Sequence, residues 1–357
     1  MDTASSRAIA HVNSSWAIPQ LRQGLSAAID RSGPVLGVGE VTSTTVPSDA
    51  KYDHLALVVA TSGSTGKSKE VALSGDALLA SARATHTYLG AKEGDIWSLL
   101  LPTNHIAGMN VITRSLELKS ELVDITQAAT FTAVVPTQLH RALNGDQQLL
   151  EHLKSTRAIL VGGAPLSTDL RKASEDAGLT IVTTYGMSES CGGCVYNGAP
   201  LPGVKIEIND GRIAIQGPTL AIGYLHSPDD FLQNGWYITS DLGSFEGERL
   251  IVEGRADDVI ISGGEKISLG TITEFLNQRF APQEFIAFAI PDSEWGQGLA
   301  IASNGAMNQD EVKTALKTQF GSHCAPKLLC HIPELPKTSL GKPDRKKLSE
   351  SFGRLPL

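Results

Sequence analysis

LALVVATSGSTGKSKEV, residues 55–71, joins an apolar run to a polar run that is broken by glycines. The apolar residues 55–60 predict a short buried strand. In the polar run, glycines allow backbone amides to turn toward a ligand, hydroxyl side chains donate hydrogen bonds, and lysines supply positive charge. This combination of groups suits the binding of a polyphosphate.

The spacing of the glycines excludes one class of phosphate loop. A Walker A loop requires four residues between its two glycines, followed by Lys and Ser or Thr. Gly63 and Gly66 are only three positions apart, so a P-loop NTPase is excluded. The alternative is a Ser/Gly-rich surface loop without a ligand.

This stretch resembles the phosphate-binding loop of the adenylate-forming superfamily, which includes acyl- and aryl-CoA synthetases, luciferases and peptide-synthetase adenylation domains. The family pattern is Thr-Ser-Gly-(Ser/Thr)-Thr-Gly-x-Pro-Lys-Gly-Val. Ser68 and Glu70 replace the proline and a glycine of that pattern, which makes the end of the loop less rigid and more acidic. The resemblance implies that the ATP phosphates are bound by Thr61, Ser62, Gly63, Ser64, Thr65, Gly66 and Lys69.

Bulk composition narrows the class of protein. A chain of 357 residues, 41% of them hydrophobic, is long enough for two domains and a large core. A net charge of −8 argues against a nucleic-acid-binding surface. The sequence has neither an apolar run long enough to span a membrane nor the apolar core of a signal peptide, so we expect no membrane span and a cytoplasmic location.

The cysteines do not predict a metal site. Cys191 and Cys194 have the spacing of metal ligands, and Cys324 and Cys330 each adjoin a histidine. A structural zinc requires four converging ligands, and neither pair belongs to a recognisable zinc module. We expect reduced thiols.

Residues 55 to about 185 alternate between strand and helix patterns, which predicts an α/β fold. Strands this apolar favour a mainly parallel sheet with helices on both faces, and ligands then bind at the carboxyl ends of the strands. Before them, a helix over 18–29 and a Gly/Pro/Thr-rich approach to the first strand are expected. The predicted strands are 55–60, 96–101, 132–135, 157–161 and 180–184, and the predicted helices are 74–88, 107–118, 136–143 and 167–177.

The pattern changes after residue 200. The segment 205–216 predicts a hairpin that turns at residues 209–211, and the strands after it indicate a small β subdomain. A polar break surrounds Asp257, and the sequence beyond it predicts a separate α+β unit. We therefore expect a large domain over residues 1–256 and a small domain over residues 257–357.

Two further motifs follow predicted strands of the large domain. His105 lies between a strand and a helix, and the resemblance implies that it gates the acyl pocket; a packed structural histidine is the alternative. Gly162, Gly163 and Ala164 form a small-residue segment on which a flat ring can lie. The resemblance implies that this segment contacts adenine and the acyl group.

Residues 184–189, TYGMSE, match the family pattern Tyr-Gly-x-(Thr/Ser)-Glu. Tyr185 offers a ring face to adenine, and Ser188 can donate to the α-phosphate. Glu189 is a hard oxygen ligand suited to Mg²⁺ on the phosphates. The resemblance also places Gly186 and Met187 in the ATP site and Gly186 beside the acyl group.

The remaining motifs lie nearer the carboxyl terminus. The Asp241 carboxylate can accept hydrogen bonds from both ribose hydroxyls, and Arg255 is the second nucleotide contact that the resemblance implies; a turn residue and a surface ion pair are the alternatives. The resemblance also makes Asp257 a hinge and Gly263 and Gly264 part of a flexible loop at the coenzyme A tunnel. The segment 335–342, LPKTSLGK, matches the catalytic-lysine motif, which assigns that role to Lys342.

These motifs follow the family order from residue 61 to 345, about four-fifths of the chain. The implied reaction uses ATP, Mg²⁺ and coenzyme A to convert a small carboxylate, through an acyl-adenylate, into a thioester. Another aryl- or acyl-CoA ligase, an enzyme that loads a carrier protein, and a nucleotide-sensing relic without activity remain as alternatives.

The length before the phosphate loop is unusual for the superfamily. Only sixty residues precede Thr61 in this sequence, whereas most members have well over a hundred, so we expect part of the usual N-terminal subdomain to be missing. This layout is similar to the short o-succinylbenzoate–CoA ligases of menaquinone synthesis. Arg114 is then a candidate ligand for the second carboxylate of that substrate, and a solvent-facing helix arginine is the alternative. A homodimer is a further expectation.

Overall fold

The apolar run 55–60 forms a buried strand in the computed structural model, which describes residues 7–13, 15–62, 68–227, 231–337 and 343–352. The chain divides into two compact units. The first unit comprises residues 1–209, 213–239 and 245–251, and the second comprises residues 210–212, 240–244 and 252–357.

Strands and helices alternate through most of the first unit, and the elements given next are those of both units in chain order. The strands are β1 (Ile9–His11), β2 (Val35–Val38), β3 (Leu55–Ser62), β4 (Ser68–Ser74), β5 (Trp97–Ser98), β6 (Leu122–Val123), β7 (Phe131–Val134), β8 (Ala158–Val161), β9 (Ile181–Met187), β10 (Gly192–Tyr196), β11 (Ala199–Pro200), β12 (Lys205–Asn209), β13 (Arg212–Gln216), β14 (Gly223–Tyr224), β15 (Tyr237–Glu246), β16 (Arg249–Arg255), β17 (Val259–Ser262), β18 (Glu265–Ser268), β19 (Phe285–Asp292), β20 (Gly296–Ser303) and β21 (Leu328–His331). The helices are α1 (Ile18–Ile29), α2 (Gly75–Leu89), α3 (Ile106–Glu117), α4 (Pro136–Leu143), α5 (Gln147–Ser155), α6 (Thr168–Asp176), α7 (Leu269–Arg279), α8 (Gln309–Phe320) and α9 (Arg345–Phe352).

One sheet of the first unit has the order β1-β2-β3-β4-β14. β1, β2 and β3 are parallel, whereas β4 is antiparallel to β3, and β14 is antiparallel to β4. The polar run was predicted to continue to residue 69, but residues 68–74 form β4. The reason is that Val71, Ala72 and Leu73 are fully buried in the sheet. The antiparallel pair of β3 and β4 is called the β3–β4 hairpin below.

A second sheet has the order β11-β10-β9-β8-β7-β5-β6. The strands from β6 to β9 are all parallel, and β10 and β11 are added antiparallel. This sheet confirms the predicted mainly parallel α/β architecture. The predicted segments 162–164 and 185–189 therefore lie at the carboxyl ends of the adjacent strands β8 and β9, where ligands of such sheets bind.

Local capping explains where α2 begins and ends. The Ser74 side chain accepts a hydrogen bond from the amide of Ala77, which satisfies one of the free donors of the first turn. Gly90 ends the helix in the left-handed conformation, with φ of 59°. The helix therefore follows β4 immediately, one residue later than predicted.

Several sequence-based predictions differ from the structure. The strand predicted over 96–101 is reduced to Trp97–Ser98, because the chain leaves the sheet where the Leu100 carbonyl accepts from the Gln138 side chain at 2.8 Å. β3 is not the first strand, since β1 and β2 precede it. Helices α5 and α9 were not predicted.

A third sheet has the order β12-β13-β15-β16. β12 and β13 confirm the two strands predicted over 205–216. Asp210 and Gly211 between them both have positive φ, 48° and 77°, which is the geometry of a tight two-residue hairpin turn.

The second unit contains a sheet of order β18-β17-β20-β19, with β21 beside β20. Helices α7 and α8 accompany this sheet, which agrees with the α+β composition predicted for the sequence beyond Asp257. The main division between the units lies at residues 251/252, slightly before the predicted boundary at Asp257. Among the residues described, no helix has the length and apolar character needed to cross a membrane.

Candidate active site

The β3–β4 hairpin holds its two described ends close together. Thr61 pairs with Lys69 and Ser62 with Ser68 in the antiparallel ladder. The Thr61 hydroxyl also donates to the Lys69 carbonyl at 3.3 Å. The predicted ATP-binding residues between these strands lie outside the described residues: Gly63, Ser64, Thr65 and Gly66.

Glu70 fixes the second strand of the hairpin to a neighbouring loop. Its Oε1 accepts from the Thr42 amide at 2.6 Å and the Ser43 amide at 3.1 Å, and both hydroxyls of Thr42 and Ser43 donate to the same carboxylate. Partial burial raises the pKa of Glu70, but these hydrogen bonds outweigh it and hold the pKa below its ordinary value. Glu70, which replaces a glycine of the family pattern, therefore connects β4 to the loop that contains Thr42 and Ser43.

Glu189 stands in a 3₁₀ turn, Ser188–Ser190, directly after β9. This backbone path requires glycine at position 186, because a Cβ there would lie 1.9 Å from the carbonyl oxygen of Gly192. Ser190 closes the turn, since its hydroxyl accepts from the Met187 amide at 3.0 Å. The Glu189 side chain is half-buried, and its Oε1 accepts from the Tyr224 hydroxyl at 3.0 Å.

Tyr224, Phe231 and Tyr237 form an aromatic cluster beside Glu189. The Tyr224 and Phe231 rings meet edge to face at 5.5 Å, and the Phe231 and Tyr237 rings stack at 4.8 Å. The hydroxyls of Tyr224 and Tyr237 lie 3.3 Å apart. The Lys69 Nζ lies 4.5 Å from the centre of the Tyr224 ring, within range of a cation–π interaction. One side chain thus contacts both the hairpin lysine and the candidate metal ligand.

The backbone around β14 makes the same connection. Tyr224 pairs with Val71 of β4, and the amide of Leu225 donates to the Glu70 carbonyl at 2.8 Å. On the other side, the Ala221 amide donates to the Glu189 carbonyl at 2.8 Å. The segment 221–225 therefore joins the phosphate-loop hairpin to the turn that carries Glu189.

The residues present fit a magnesium ion that is held mainly by nucleotide phosphates. Within the described ranges, no hydrogen bond or ion pair engages Glu189 Oε2, and no group of three or more His, Cys, Asp or Glu side chains forms a metal cage. Mg²⁺ is usually bound by one or two carboxylates together with substrate phosphates and water. A single oriented carboxylate beside a phosphate loop meets that requirement.

His105 is placed at the start of α3, where its backbone caps the helix. Its neighbour Asn104 and Ala60 of β3 both approach Gly39, with a backbone oxygen of each 3.4 Å from an ideal Cβ on Gly39. His105 therefore lies near the end of β3 that leads into the hairpin. Burial lowers the pKa of His105, so its imidazole is neutral at pH 7.

The second glycine segment lies against β9. An ideal Cβ on Gly162 would be 2.2 Å from the Thr184 hydroxyl, and the Thr184 hydroxyl donates to the Val161 carbonyl at 3.4 Å. Gly163 and Ala164 are exposed, and Tyr185 and Met187 are half-buried on β9. The first unit thus brings residues 162–164 and 184–189 side by side.

Arg114 is buried and therefore does not face solvent as the alternative interpretation supposed; it is 4% exposed. Its guanidinium donates to the Tyr196 hydroxyl at 3.2 Å and lies 5.0 Å from the centre of the Trp97 ring. The Tyr196 hydroxyl is 2.9 Å from that of Thr85. In the described part of the chain, Arg114 has no carboxylate partner, and its Nε makes no hydrogen bond.

The remaining predicted residues belong to the second unit. Asp241 is buried and pairs with Arg255 at 3.4 Å. The backbone of Asp257 lies in a short 3₁₀ turn. Gly263 and Gly264 form a two-residue turn between β17 and β18, with φ of 58° and 88°, so the residues after this predicted flexible loop are paired in a strand. Lys342 lies outside the described residues.

The four cysteines are free thiols. Burial raises the pKa of Cys191 to about 12 and that of Cys194 to about 11. Cys191 ends the turn before β10 and Cys194 lies in β10, and both thiols are fully buried.

The sequence analysis did not identify the aromatic cluster or the buried Tyr196 hydroxyl. Tyr224 lies 35 positions from Glu189 in sequence, and no local pattern links the two residues. A tyrosine in a two-residue strand also gives no periodic signal. The pairing of β14 with β4 and the backbone bond from Ala221 to Glu189 bring these groups together.

Comparisons with known proteins agree on the type of enzyme. The family model described as AMP-binding enzyme matches residues 7–225. A Mycobacterium tuberculosis protein, "Probable 2-succinylbenzoate--CoA ligase", is 36% identical over 329 residues, covering 84% of this chain and 85% of that protein.

Solved structures of the Bacillus subtilis o-succinylbenzoate CoA synthetase share the fold. The complex with the acyl-adenylate intermediate OSB-AMP has a TM-score of 0.76 at 24% identity, covering 95% of this chain and 82% of that one. The complex with ATP and a magnesium ion also has a TM-score of 0.76, at 22% identity, covering 96% of this chain and 84% of that one.

Proposed function

Because this chain belongs to the AMP-binding enzyme family, we propose that it is an ATP-dependent acid–thiol ligase that converts 2-succinylbenzoate to its coenzyme A thioester in menaquinone synthesis. The relative with 36% identity carries the name of that ligase, and coverage of both chains exceeds four-fifths. The observation that carries the proposal is the contact between Lys69, Tyr224 and Glu189, which places a cation and a carboxylate together beside the phosphate-loop hairpin.

The first half-reaction forms an acyl-adenylate. A carboxylate oxygen of the acid attacks the α-phosphorus of ATP, and the bond from that phosphorus to pyrophosphate breaks. The Thr61–Lys69 hairpin binds the phosphates, and Glu189 binds the magnesium that neutralises their charge. Positioning and charge neutralisation supply the catalysis, because no covalent enzyme intermediate is needed.

The second half-reaction forms the thioester. The coenzyme A sulfur attacks the acyl carbon, the bond from that carbon to the AMP oxygen breaks, and the thiol proton is released. In this proposal Asp241 and Arg255 hold the ribose, and Tyr185 lies against adenine. Residues 257–357 act as a mobile domain that turns about Asp257 and presents Lys342 for the first step, and Gly263 and Gly264 for the second.

Arg114 supports the choice of a substrate with two carboxylates. A buried guanidinium with no acidic partner among the described residues is costly unless a ligand supplies the negative charge. We assign to it the carboxylate of 2-succinylbenzoate that is not activated. We assign the role of acyl gate to His105, whose pKa is lowered by burial.

The test is pyrophosphate release with 2-succinylbenzoate, benzoate and a fatty acid, each with and without coenzyme A, followed by mass analysis of the products. We expect release with 2-succinylbenzoate alone, together with its coenzyme A thioester. Release with only another acid would retain the mechanism and refute the substrate. Pyrophosphate release without a thioester would favour the alternative in which a carrier protein accepts the acyl group.

Two further parts of the proposal concern the assembly and its location. We infer a cytoplasmic enzyme, because ATP and coenzyme A are available there. A homodimer stays a prediction, and light scattering on the purified protein measures it directly.

A further inference from the structure

Glu189 is a better metal ligand when its carboxylate is held in one orientation. The side chain is half-buried at the end of a strand, and its Oε1 receives a hydrogen bond of 3.0 Å from Tyr224. Residues that hydrogen-bond to a ligating carboxylate fix its orientation, and their loss typically weakens metal affinity or activity about 10–100-fold. The Tyr224 hydroxyl is in the position for that role.

The ring of the same tyrosine has a second contact. Lys69 Nζ lies 4.5 Å from the ring centre, and the Phe231 edge contact fixes the plane of the ring. A cation over an aromatic face is attracted by the ring electrons, so the ring limits where the Lys69 ammonium group lies. The hydroxyl of Tyr224 therefore contacts Glu189, and its ring contacts Lys69.

The backbone strengthens the argument that Tyr224 is a fixed support. β14 pairs with β4 at Tyr224 and Val71, and Ala221 donates to the Glu189 carbonyl. The buried Tyr52 hydroxyl also donates to the Tyr224 carbonyl at 3.4 Å. The tyrosine is thus held by the same elements whose side chains it contacts.

We propose that Tyr224 is a positioning residue that couples the two halves of the nucleotide site: its hydroxyl orients Glu189 toward magnesium, and its ring holds Lys69 at the phosphates. This inference rests on the proposed function for its ligands and adds a residue to it. The proposal gives Tyr224 no contact with the reacting atoms.

The test separates the hydroxyl from the ring. Tyr224→Phe retains the ring and removes the donor to Glu189. Calorimetry with the full-length protein measures ATP binding at several Mg²⁺ concentrations, and AMP binding without metal. We expect the Mg²⁺ concentration for half-maximal ATP binding to rise about tenfold, with AMP affinity unchanged within about twofold, since a general structural loss would weaken both.

Tyr88→Phe is the matched control. The Tyr88 hydroxyl donates to the Tyr196 carbonyl at 3.5 Å and accepts from the side-chain amide of Asn197 at 3.4 Å. Tyr88 has no role in the proposed nucleotide or substrate site. This variant should bind ATP with the magnesium dependence of the unmodified protein. Equal magnesium dependence of Tyr224→Phe and the unmodified protein would overturn the role of the hydroxyl.

Tyr224→Leu tests the ring. At saturating Mg²⁺ it should bind ATP more weakly than Tyr224→Phe, because it alone loses the face beneath Lys69. Equal affinity of the two variants would overturn the role of the ring.

Measuring both ATP binding and pyrophosphate release distinguishes a failure of this proposal from a failure of the proposed function. A shifted magnesium dependence without pyrophosphate release from any acid would refute the ligase activity and retain Tyr224 as a positioning residue. An unmodified protein that binds no ATP at any Mg²⁺ concentration would overturn both.

Discussion

Glu70 is a single residue that departs from the pattern of its family and takes a structural role. The carboxylate accepts hydrogen bonds from the amides and hydroxyls of Thr42 and Ser43, which connects the loop after β2 to the hairpin strand β4. Hydrogen bonds to a charged acceptor are stronger than those to a neutral one, so the contribution to stability depends on ionisation.

A pH prediction follows at this residue. The pKa of Glu70 lies below its ordinary value of 4.5 in the folded protein, so the stabilisation is complete above the unfolded pKa and is lost as pH falls through the folded pKa. Glu70→Gln should lower the free energy of unfolding by about 1 kcal/mol at pH 7, with a smaller difference at pH 3. Thermal unfolding at both pH values measures it. An equal difference at pH 7 and pH 3 would contradict the assignment.

At the scale of elements, β9 delivers Glu189 to its place only because it approaches β10 closely. A Cβ at position 186 would lie 1.9 Å from the Gly192 carbonyl oxygen and 2.7 Å from its carbon, both of which are backbone atoms that cannot move aside. The turn that carries Glu189 follows directly. The position of Glu189 therefore depends on the pairing of β9 with β10.

Gly186→Ala tests that dependence. We expect a loss of stability of about 3 kcal/mol or more, with weaker binding of ATP in whatever folded protein remains. Gly270→Ala is the matched control, because the nearest atom to its Cβ is the Ser268 hydroxyl oxygen at 3.9 Å. Denaturant unfolding should leave the control unchanged or slightly stabilised, and a similar small effect of Gly186→Ala would refute the close approach as a constraint.

The elements also show which parts of the fold were predictable. The apolar strand residues 55–60 and helix α1 were predicted because their hydrophobic patterns are long and local. β4 was not, because the polar residues at its start concealed three buried apolar residues behind them. Short strands such as β5 and β14 are defined by pairing with distant segments, and no local pattern predicts them.

The candidate site was predictable in the same uneven way. The motif residues Thr61, Lys69 and Glu189 were named as candidates because their segments resemble motifs of the family. The contact of Lys69 and Glu189 through Tyr224 depends on β14 lying beside β4, which is a property of the folded sheet. Arg114 was named as a candidate with a solvent-facing helix arginine as the alternative, and only the folded structure, in which it is buried, decides against that alternative.

At the scale of the whole molecule, adenylation requires that a carboxylate oxygen become bonded to the α-phosphorus of ATP. The family match, the hairpin and the oriented Glu189 all support adenylation. An acid–thiol ligase could instead activate its substrate as an acyl phosphate, with ADP as the product. An oxygen isotope in the carboxylate ends in a different product in each route, so it distinguishes them and requires no variant of the protein.

The most direct measurement uses 2-succinylbenzoate labelled with ¹⁸O in its carboxylates, incubated with ATP, Mg²⁺ and coenzyme A and analysed by mass spectrometry. Adenylation predicts AMP that carries one ¹⁸O atom, because the carboxylate oxygen stays on phosphorus when the thiol displaces AMP. Label in inorganic phosphate together with ADP, or AMP without label, would contradict it.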